Sequence, residues 1–382
     1  MANPRVLILG GGFGGLVAAY TLRADAGEQA NLLLVDESPA FMMGLRKLWL
    51  VDGRSTRAEG TRDRTRLADS RIPFRQGRVD GIDLGGRWVA VDDERIAYDF
   101  LIVALGAQPR LDLVSGGVDG ALNLYTADGA EALGQRLQSF ERGRIVIAIA
   151  GLPYKCPPAP YEAAFLIDDL LRRTGRRPSV EIEVVTPQPV SLPVAGPAAC
   201  ARVEGTMADR QIHFRPNAKV ERVEATQVVL ADGNVIPGDL VILVPPHRPP
   251  AVIKASGLTD GREWVRPDPH TLATSAPGVF AVGDLTEIPI PGGQMLPKAG
   301  IFAERQGQVV GRNLAAVIAG REPDARFDGR GYCFIEVGEG QASMVDGNFF
   351  SDPLDVDVLT PAAEHLAAKV AFERERLLQW FA

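Results

Sequence analysis

The amino-acid sequence predicts an α/β fold with two Rossmann-like nucleotide-binding domains and a C-terminal domain, and three observations support it. Residues 6–9 form a short apolar run, residues 10–15 read Gly-Gly-Gly-Phe-Gly-Gly, and a helical pattern begins at residue 16. A second strand is predicted over residues 31–35. A second strand–helix–strand unit is predicted over residues 144–186. Strands that alternate with helices in this order are typical of parallel sheets.

The glycine-rich turn matches G-x-G-x-x-G, with Gly10, Gly12 and Gly15 at the three glycine positions. In a dinucleotide-binding loop these glycines permit a tight turn, a close approach of the backbone to a pyrophosphate, and close helix–sheet packing. The free N–H groups of the following helix then face the phosphates. Asp36, at the end of the second strand, is predicted to accept a hydrogen bond from a ribose hydroxyl. Residues 37–49 are predicted to lie along the cofactor or, equally, to form a buried loop.

Composition restricts the class of protein. The chain has 382 residues, 46 % apolar residues and a net charge of −7, which allows two or three domains and gives no reason to expect a nucleic-acid partner. No apolar stretch reaches the roughly 20 residues of a membrane-spanning helix, and the N-terminus shows no leader pattern. We expect a cytoplasmic protein; peripheral contact with a membrane, or a periplasmic location after loss of a leader, stays open. Three cysteines indicate redox chemistry or burial rather than a disulfide scaffold, and we predict no metal site.

Two later motifs predict that the first nucleotide site binds FAD rather than NAD. Residues 98–109 resemble the strand and turn that return to the cofactor in flavoproteins of the glutathione-reductase type. Residues 278–284 resemble their second flavin signature, in which the aspartate, here Asp284, binds the ribityl chain. A helix is predicted from residue 296 to 319, with its N-terminus at the flavin. The predicted FAD contacts are Gly10, Gly12, Phe13, Gly14, Asp36, Gly106 and Asp284, with Glu37, Arg46, Val79, Ala104, Gly283, Lys298 and Ala299 placed by family position.

The second nucleotide loop departs from the glycine pattern. It follows the strand at residues 144–150, and Pro153 and Cys156 stand where glycines are required. Proline has a fixed φ and no N–H donor, so a loop with four prolines cannot surround a pyrophosphate with donors. We therefore expect a vestigial NAD(P)H site in which a cysteine has replaced the phosphate loop. The dipole of the following helix and the neighbouring Lys155 are predicted to favour a thiolate at Cys156.

With these residues, the chain resembles the sulfide:quinone oxidoreductases and the flavoprotein subunit of flavocytochrome c sulfide dehydrogenase. Both belong to the FAD-dependent pyridine nucleotide-disulfide oxidoreductase superfamily. The most specific parts of the resemblance are residues 155–162, residues 296–300 and Cys333. The resemblance implies that Cys156 and Cys333 form a redox-active pair beside the isoalloxazine ring and that Glu162 is a base. It also implies oxidation of sulfide or persulfide, with electrons passed to a quinone or to cytochrome c.

Two departures from this group leave the electron acceptor open. Many quinone-reducing members have a third active cysteine, but residues 101–155 contain none, and Tyr125 lies near its expected place. Cys200 does not fit that motif, and we predict an ordinary structural thiol there. The C-terminus also lacks an extended pair of amphipathic helices for membrane docking. These features favour a cytochrome acceptor, whereas the absence of a leader favours the quinone-reducing members.

The motifs divide the chain into four predicted segments, and the apolar run at residues 240–244 is predicted to re-enter the first domain. The segments are residues 1–110 (first part of the FAD domain), 111–245 (second Rossmann-like domain with Cys156), 246–320 (second part of the FAD domain) and 321–382 (C-terminal region with Cys333). Two other functions stay open. One is an NADH:quinone oxidoreductase of the same superfamily, against which the second loop argues. The other is a non-catalytic subunit that holds flavin or a persulfide.

Overall fold

The computed structural model describes residues 3–382. The strands are β1 (Arg5–Leu9), β2 (Asn31–Asp36), β3 (Ala40–Met42), β4 (Thr61–Asp63), β5 (Phe74–Gln76), β6 (Val79–Asp83), β7 (Trp88–Val91), β8 (Glu94–Ala97), β9 (Phe100–Val103), β10 (Gln108–Pro109), β11 (Leu122–Asn123), β12 (Gly143–Ile149), β13 (Val180–Val185), β14 (Ile212–Arg215), β15 (Val220–Glu224), β16 (Gln227–Leu230), β17 (Val235–Pro237), β18 (Leu240–Val244), β19 (His247–Arg248), β20 (Val279–Ala281), β21 (Arg330–Gly338), β22 (Gln341–Asn348) and β23 (Asp355–Val358). The helices are α1 (Phe13–Ala26), α2 (Arg46–Val51), α3 (Arg57–Gly60), α4 (Ala127–Gln138), α5 (Ala159–Arg173), α6 (Pro197–Asp209), α7 (Ala251–Ala255), α8 (Gly300–Ile318) and α9 (Ala363–Phe381).

The first parallel sheet is built around β1, in the order β20-β9-β1-β2-β5. β1 pairs in parallel with β2 on one side and with β9 on the other. Residues 6–9 are all buried, as expected for a strand whose two sheet faces are both covered. The predicted strand, glycine turn, helix and second strand are therefore present as β1, α1 and β2, and the α/β class is confirmed.

The second parallel sheet has the order β11-β18-β12-β13-β14. β12, α5 and β13 form the predicted second strand–helix–strand unit. The prediction for residues 240–244 is wrong, because β18 lies between β11 and β12, with Ile145 opposite Leu240. An apolar run is equally suited to either buried sheet, and here it pairs with β11 on one side and β12 on the other. The chain re-enters the first sheet later, at β20.

The two crossings between the sheets lie side by side. The chain leaves the first sheet through β10 and leaves the second through β19, and these two short strands pair antiparallel. The residue boundaries of the four segments stay a prediction. Within residues 3–382, no helix combines the length and the apolar character that a bilayer crossing requires.

Helix α8 packs directly against α1, and this contact brings the start of α8 to the glycine turn. A Cβ on Gly307 would lie 2.3 Å from the backbone oxygen of Gly14, so only glycine permits this separation. Gly311 in the next turn of α8 faces the backbone of Ala18 with similar closeness. The N-termini of both helices consequently open toward the same space.

The C-terminal region closes that space from the opposite side. β21, β22 and β23 form an antiparallel sheet, and β21 lies against α5 of the second sheet. The end of α9 reaches the first core, where Trp380 and Phe381 pack against Phe13 and Phe41. Cys333, in β21, is thus brought to the region where α5 begins.

Candidate active site

A cavity of about 810 Å³ lies between the two parallel sheets and the C-terminal region. Its lining includes the three predicted catalytic residues, Cys156, Cys333 and Glu162. It also includes all the predicted cofactor residues except Arg46. They are Gly10, Gly12, Phe13, Gly14, Asp36, Glu37, Val79, Ala104, Gly106, Gly283, Asp284, Lys298 and Ala299. The individual contacts of these residues with FAD stay a prediction.

The glycine turn has the shape that a pyrophosphate requires. Gly10 has a φ of +100°, and a Cβ there would lie 2.3 Å from the backbone oxygen of Ala104. A Cβ on Gly15 would lie 1.8 Å from the oxygen of Gly10, which shows how closely α1 packs on the turn. A Cβ on Gly12 would meet no atom within 4 Å, because it would project into the cavity. The turn therefore fits the phosphates of FAD, because the lack of a side chain at Gly12 leaves room for them.

Asp36 supports the glycine turn as well as lining the cavity. Its carboxylate accepts hydrogen bonds from the backbone N–H of Gly11 at 2.7 Å and of Ser38 at 2.9 Å. The buried guanidinium of Arg64 donates to the backbone oxygen of Gly11 at 2.9 Å, on the other side of the same turn. Glu37 also lines the cavity, and its carboxylate accepts no hydrogen bond from residues 3–382. Both acids line the cavity, and their contact with the ribose of the cofactor stays a prediction.

The structure turns Arg46 away from the cavity. Its Nε donates to the buried carboxylate of Glu373 on α9 at 2.8 Å, and its Nη1 donates to Ser55 at 2.8 Å. The guanidinium also lies over the ring of Trp49, 4.6 Å from the centroid. The assignment of Arg46 as a cofactor contact is therefore not supported, because a buried acid 327 positions away binds the guanidinium. The neighbouring Lys47 lines the cavity instead, and sequence reasoning missed it.

Lys298 is buried at the start of α8, where it stiffens the loop after the second flavin motif. Its ammonium donates to the backbone oxygens of Asp284 at 2.8 Å and Thr286 at 3.0 Å. It also lies 3.5 Å from the ring centroid of Trp264. Burial lowers the pKa of Lys298 to about 8, and the ammonium is still mostly protonated at neutral pH. With the uncapped N-terminus of α8 at Gly300, it gives this wall of the cavity a positive character.

The loop after β12 presents a thiol where a phosphate loop would present N–H groups. Cys156 has a φ of +54°, and its own N–H is bonded to the backbone oxygen of Lys298 at 2.7 Å. This bond fixes the cysteine loop to the start of α8. Lys155 does not contact the thiol through its ammonium, which donates to the backbone oxygen of Ala107 at 3.2 Å. Helix α5 begins only at Ala159, three residues beyond the cysteine.

The two cavity cysteines lie beside each other, although 177 positions separate them in the sequence. A hydrogen bond between the thiols of Cys156 and Cys333 raises the pKa of Cys156, and burial raises it further. The same bond lowers the pKa of Cys333. The predicted thiolate at Cys156 is therefore wrong for the reduced pair, in which Cys333 loses its proton first. The physical reason is that the interaction with the Cys333 thiol and burial both oppose ionisation of Cys156, while the ammonium of Lys155 is bonded to the backbone of Ala107.

Cys200 is separate from this pair. It lies buried on α6 in the core of the second sheet and lines neither cavity described here. Its backbone oxygen is 3.5 Å from the hydroxyl of Ser191. Its position agrees with the predicted structural thiol. Within residues 3–382, no group of three or more His, Cys, Asp or Glu side chains is arranged to hold a metal ion.

Glu162 belongs to a buried group of charges that sequence reasoning missed. Its carboxylate accepts a hydrogen bond from the ammonium of Lys369, which also donates to Glu336 at 2.8 Å. Burial raises the pKa of Glu162 to about 7. A signal for the lysine was available, because Lys369 and Glu373 share the spacing of the buried Leu377 and therefore interrupt the apolar face of α9.

A second cavity of about 470 Å³ opens on the other side of Cys333. It lies at the carboxyl ends of β12 and β13, where a doubly wound sheet binds its ligand. Its lining is mostly apolar, from Leu152, the prolines of the cysteine loop and Leu192. Lys298 and Cys333 line both cavities. The nucleotide position of the second sheet has thus become an apolar chamber that reaches a thiol.

Comparison with known proteins identifies the family. The family model described as pyridine nucleotide-disulphide oxidoreductase matches residues 4–307, about four fifths of the chain. The chain belongs to this family. It is an FAD-dependent oxidoreductase, and the glycine turn and cavity described above fit that cofactor.

Similar proteins agree with the resemblance seen in the sequence. The mitochondrial sulfide:quinone oxidoreductase of Mus musculus is 25 % identical over 92 % of this chain and 79 % of its own length. A sulfide-quinone reductase of Aquifex aeolicus is 26 % identical over 91 % of this chain and 84 % of its own. A demethylphylloquinone reductase of Synechocystis is 28 % identical over 84 % of this chain and 81 % of its own.

A solved structure shows the same fold. The sulfide:quinone oxidoreductase of Aquifex aeolicus superposes with a TM-score of 0.89 at 24 % identity, over 99 % of this chain and 91 % of that one. The predicted fold class and the predicted family resemblance are therefore confirmed.

Proposed function

We propose that this protein oxidises sulfide or persulfide through Cys156 and Cys333. The observation that supports this function most directly is the contact between the two thiols on the wall of the cavity that fits FAD. Two cysteines so far apart in the sequence meet only because β21 lies against α5. The names of the relatives from Mus musculus and Aquifex aeolicus point to the same substrate.

In the oxidised protein the pair is a disulfide, and sulfide attacks one of its sulfur atoms. The attack leaves a persulfide on one cysteine and a thiolate on the other. Glu162, buried beside the pair, accepts the proton that the attacking sulfide loses. Bound FAD supplies a two-electron acceptor for the thiolate. Lys298 and the N-terminus of α8 contribute positive charge at the wall where negative charge develops.

The alternative of an NADH:quinone oxidoreductase is kept because some relatives have that activity in their names. They include an alternative NAD(P)H-ubiquinone oxidoreductase of Arabidopsis thaliana, 26 % identical over 84 % of this chain and 68 % of its own length. Against it stands the second loop, where Pro153 has no N–H and the N–H of Cys156 is bonded to Lys298. The proposed electron donor is therefore sulfide rather than NADH.

A quinone is the electron acceptor that we favour over cytochrome c. Val370 and Leu378 on α9 are exposed by 45 % and 59 %, and α9 also supplies Lys369 and Phe372 to the cavity wall. A quinone held at a membrane surface could reach the cavity beside this helix. We accordingly propose peripheral contact with a membrane.

Anaerobic titration of the purified protein with sulfide tests the proposal. The visible spectrum should show bound flavin that sulfide bleaches within the mixing time and that decylubiquinone restores. If cytochrome c restores the flavin absorbance and decylubiquinone does not, the proposed acceptor is wrong and the proposed donor still holds. A flavin that sulfide does not bleach, while NADH does, would replace the proposed function by the alternative.

A further inference from the structure

Five charged side chains form a continuous network that runs from the cysteine pair toward the surface. Lys369 joins Glu162 to Glu336. Glu336 also accepts a hydrogen bond from Arg54 at 2.6 Å, and Arg54 in turn donates to Asp52 at 2.5 Å. The side chain of Arg54 is 37 % exposed, whereas those of the other four are exposed by 2–3 %. The network therefore connects the enclosed site to solvent at one end.

The charges of this network do not balance when every member is ionised. Glu162, Glu336 and Asp52 contribute three negative charges, and Lys369 and Arg54 contribute two positive charges, which leaves one negative charge in excess. An uncompensated charge in a buried position is costly, and a group in such a position takes up a proton instead. One carboxyl of the three therefore holds a proton that can be exchanged near neutral pH.

The hydrogen bonds place this proton on Glu162. Glu336 accepts from three donors, Lys369, Arg54 and the indole of Trp49. Asp52 accepts twice from Arg54, through its backbone and its side chain. Within the described residues, Lys369 is the one donor to the carboxylate of Glu162. Because donors stabilise the ionised form, Glu162 is the carboxylate that most readily protonates, in agreement with the raised pKa of Glu162.

The neighbouring charges are either paired with each other or common to all the variants. Arg46 and Glu373 lie close by on α2 and α9, but they neutralise each other. Lys47, also on α2, donates to the backbone oxygen of Tyr125, and burial lowers its pKa to about 7, so this lysine titrates near neutral pH in the wild type and in every variant alike. On α9, the ring of His365 contacts the backbone oxygen of Ala342. The loop before α5 and strand β21 bring the two cysteine thiols next to Glu162, and β21 also carries Glu336, which is already in the count.

We propose that Lys369 and Glu336 are positioning residues that set the proton occupancy of Glu162 and, through it, the reactivity of the cysteine pair. The inference rests on the proposed function. In the step concerned, H₂S attacks the Cys156–Cys333 disulfide, that S–S bond breaks and a new S–S bond forms. One cysteine becomes a persulfide and the other a thiolate, and the proton released by H₂S moves to the Glu162 carboxylate. Glu162 must therefore be ionised before the attack.

Two substitutions in the network should act in opposite directions. Lys369→Met removes a cation, so Glu162 holds its proton more tightly, and the pH below which sulfide-driven flavin reduction falls should rise by about 1–3 units. Glu336→Gln removes a carboxylate and balances the network, so the same limit should fall by about 1 unit. Rapid-mixing rates measured across neutral pH give both limits. The ionisation of sulfide itself is common to all variants and cancels in the comparison.

A second readout needs no sulfide. After chemical reduction of the pair, the rate of iodoacetamide alkylation against pH, followed by mass spectrometry at each cysteine, reports the ionisation of the thiols. This profile should also move up in Lys369→Met and down in Glu336→Gln. The matched control is Glu375→Gln, at an exposed position of the same helix. It removes a surface carboxylate that forms no ion pair within residues 3–382, and neither profile should move.

Shifts of the same sign in the two variants, or no shift in either, would overturn the inference. If Lys369→Met loses its flavin through misfolding, Lys369→Arg and Glu336→Gln decide the matter, since the arginine keeps the charge and should keep the wild-type profiles. A wild-type protein that sulfide does not reduce at any pH would end the proposed function. The alkylation profiles would still test the network in that case.

Discussion

The turn after β1 and the turn after β12 occupy equivalent places, each between a buried parallel strand and a helix. After β1, Gly12 leaves open space in the cavity, and α1 begins at the residue that follows Gly12. After β12, Pro153 has no N–H, Cys156 uses its own N–H on Lys298, and the helix starts only at Ala159. The same supersecondary unit therefore serves a phosphate in one sheet and a thiol in the other. Whether such a turn can bind a phosphate depends on whether its N–H groups are free to face the cavity.

The largest effect that this comparison predicts is at the cysteine turn. Cys156→Ser or Cys333→Ser should lower the rate of sulfide-driven flavin reduction by several orders of magnitude, because either change removes the disulfide that sulfide attacks. Flavin content should stay at the wild-type level, since neither residue lies in the glycine turn. Stopped-flow mixing with sulfide measures the rate. Cys200→Ser is the matched control and should behave as wild type; full sulfide reactivity in Cys333→Ser would refute the pairing.

The next effect is at the glycine turn. In Gly12→Val, the new side chain fills the space of the pyrophosphate, and flavin occupancy should fall below roughly one tenth of wild type. Flavin absorbance per protein, measured after reconstitution with FAD, gives the occupancy. Gly205→Val is the control, because Gly205 lies in α6 and also faces open space but lines neither cavity. Normal yellow colour in Gly12→Val would mean that the phosphates lie elsewhere.

A third experiment compares the two turns as cofactor sites. NADH and NADPH should not reduce the flavin at a useful rate, because the second turn lacks the N–H donors for a pyrophosphate. Stopped-flow mixing with millimolar NADH, next to a sulfide mixture of the same protein, measures this. Rapid bleaching by NADH would show that the second sheet still binds a dinucleotide.

The smallest effect concerns Lys155, next to the cysteine. Because its ammonium is bonded to Ala107 rather than to the thiol, Lys155→Gln should change the alkylation rate of the reduced Cys156 by less than about twofold. The pH dependence of iodoacetamide alkylation, resolved by residue, is the measurement. A large upward shift in the profile of Cys156 would restore the original expectation of a thiolate stabilised by Lys155.

The sequence was sufficient for local units and insufficient for what distant segments do to each other. The strand, glycine turn and helix at residues 6–26 were predictable because their signals are contiguous. The strand at residues 240–244 was assigned to the wrong sheet, because burial on both faces is common to the two sheets. The ion pairs of Arg46 and Lys369 could not be predicted for another reason. Their partners, Glu373 and Glu162, are 327 and 207 positions away, and only folding brings them together.

The central claim is that Cys156 and Cys333 form one redox unit outside the glycine turn. Peptide mapping of protein isolated without reductant tests it most directly. We expect the peptides of Cys156 and Cys333 to be linked, by a direct disulfide or through additional sulfur atoms, with Cys200 as a free thiol. A Cys156–Cys200 link, or Cys156 and Cys333 both recovered as free thiols from protein whose flavin is oxidised, would contradict the account.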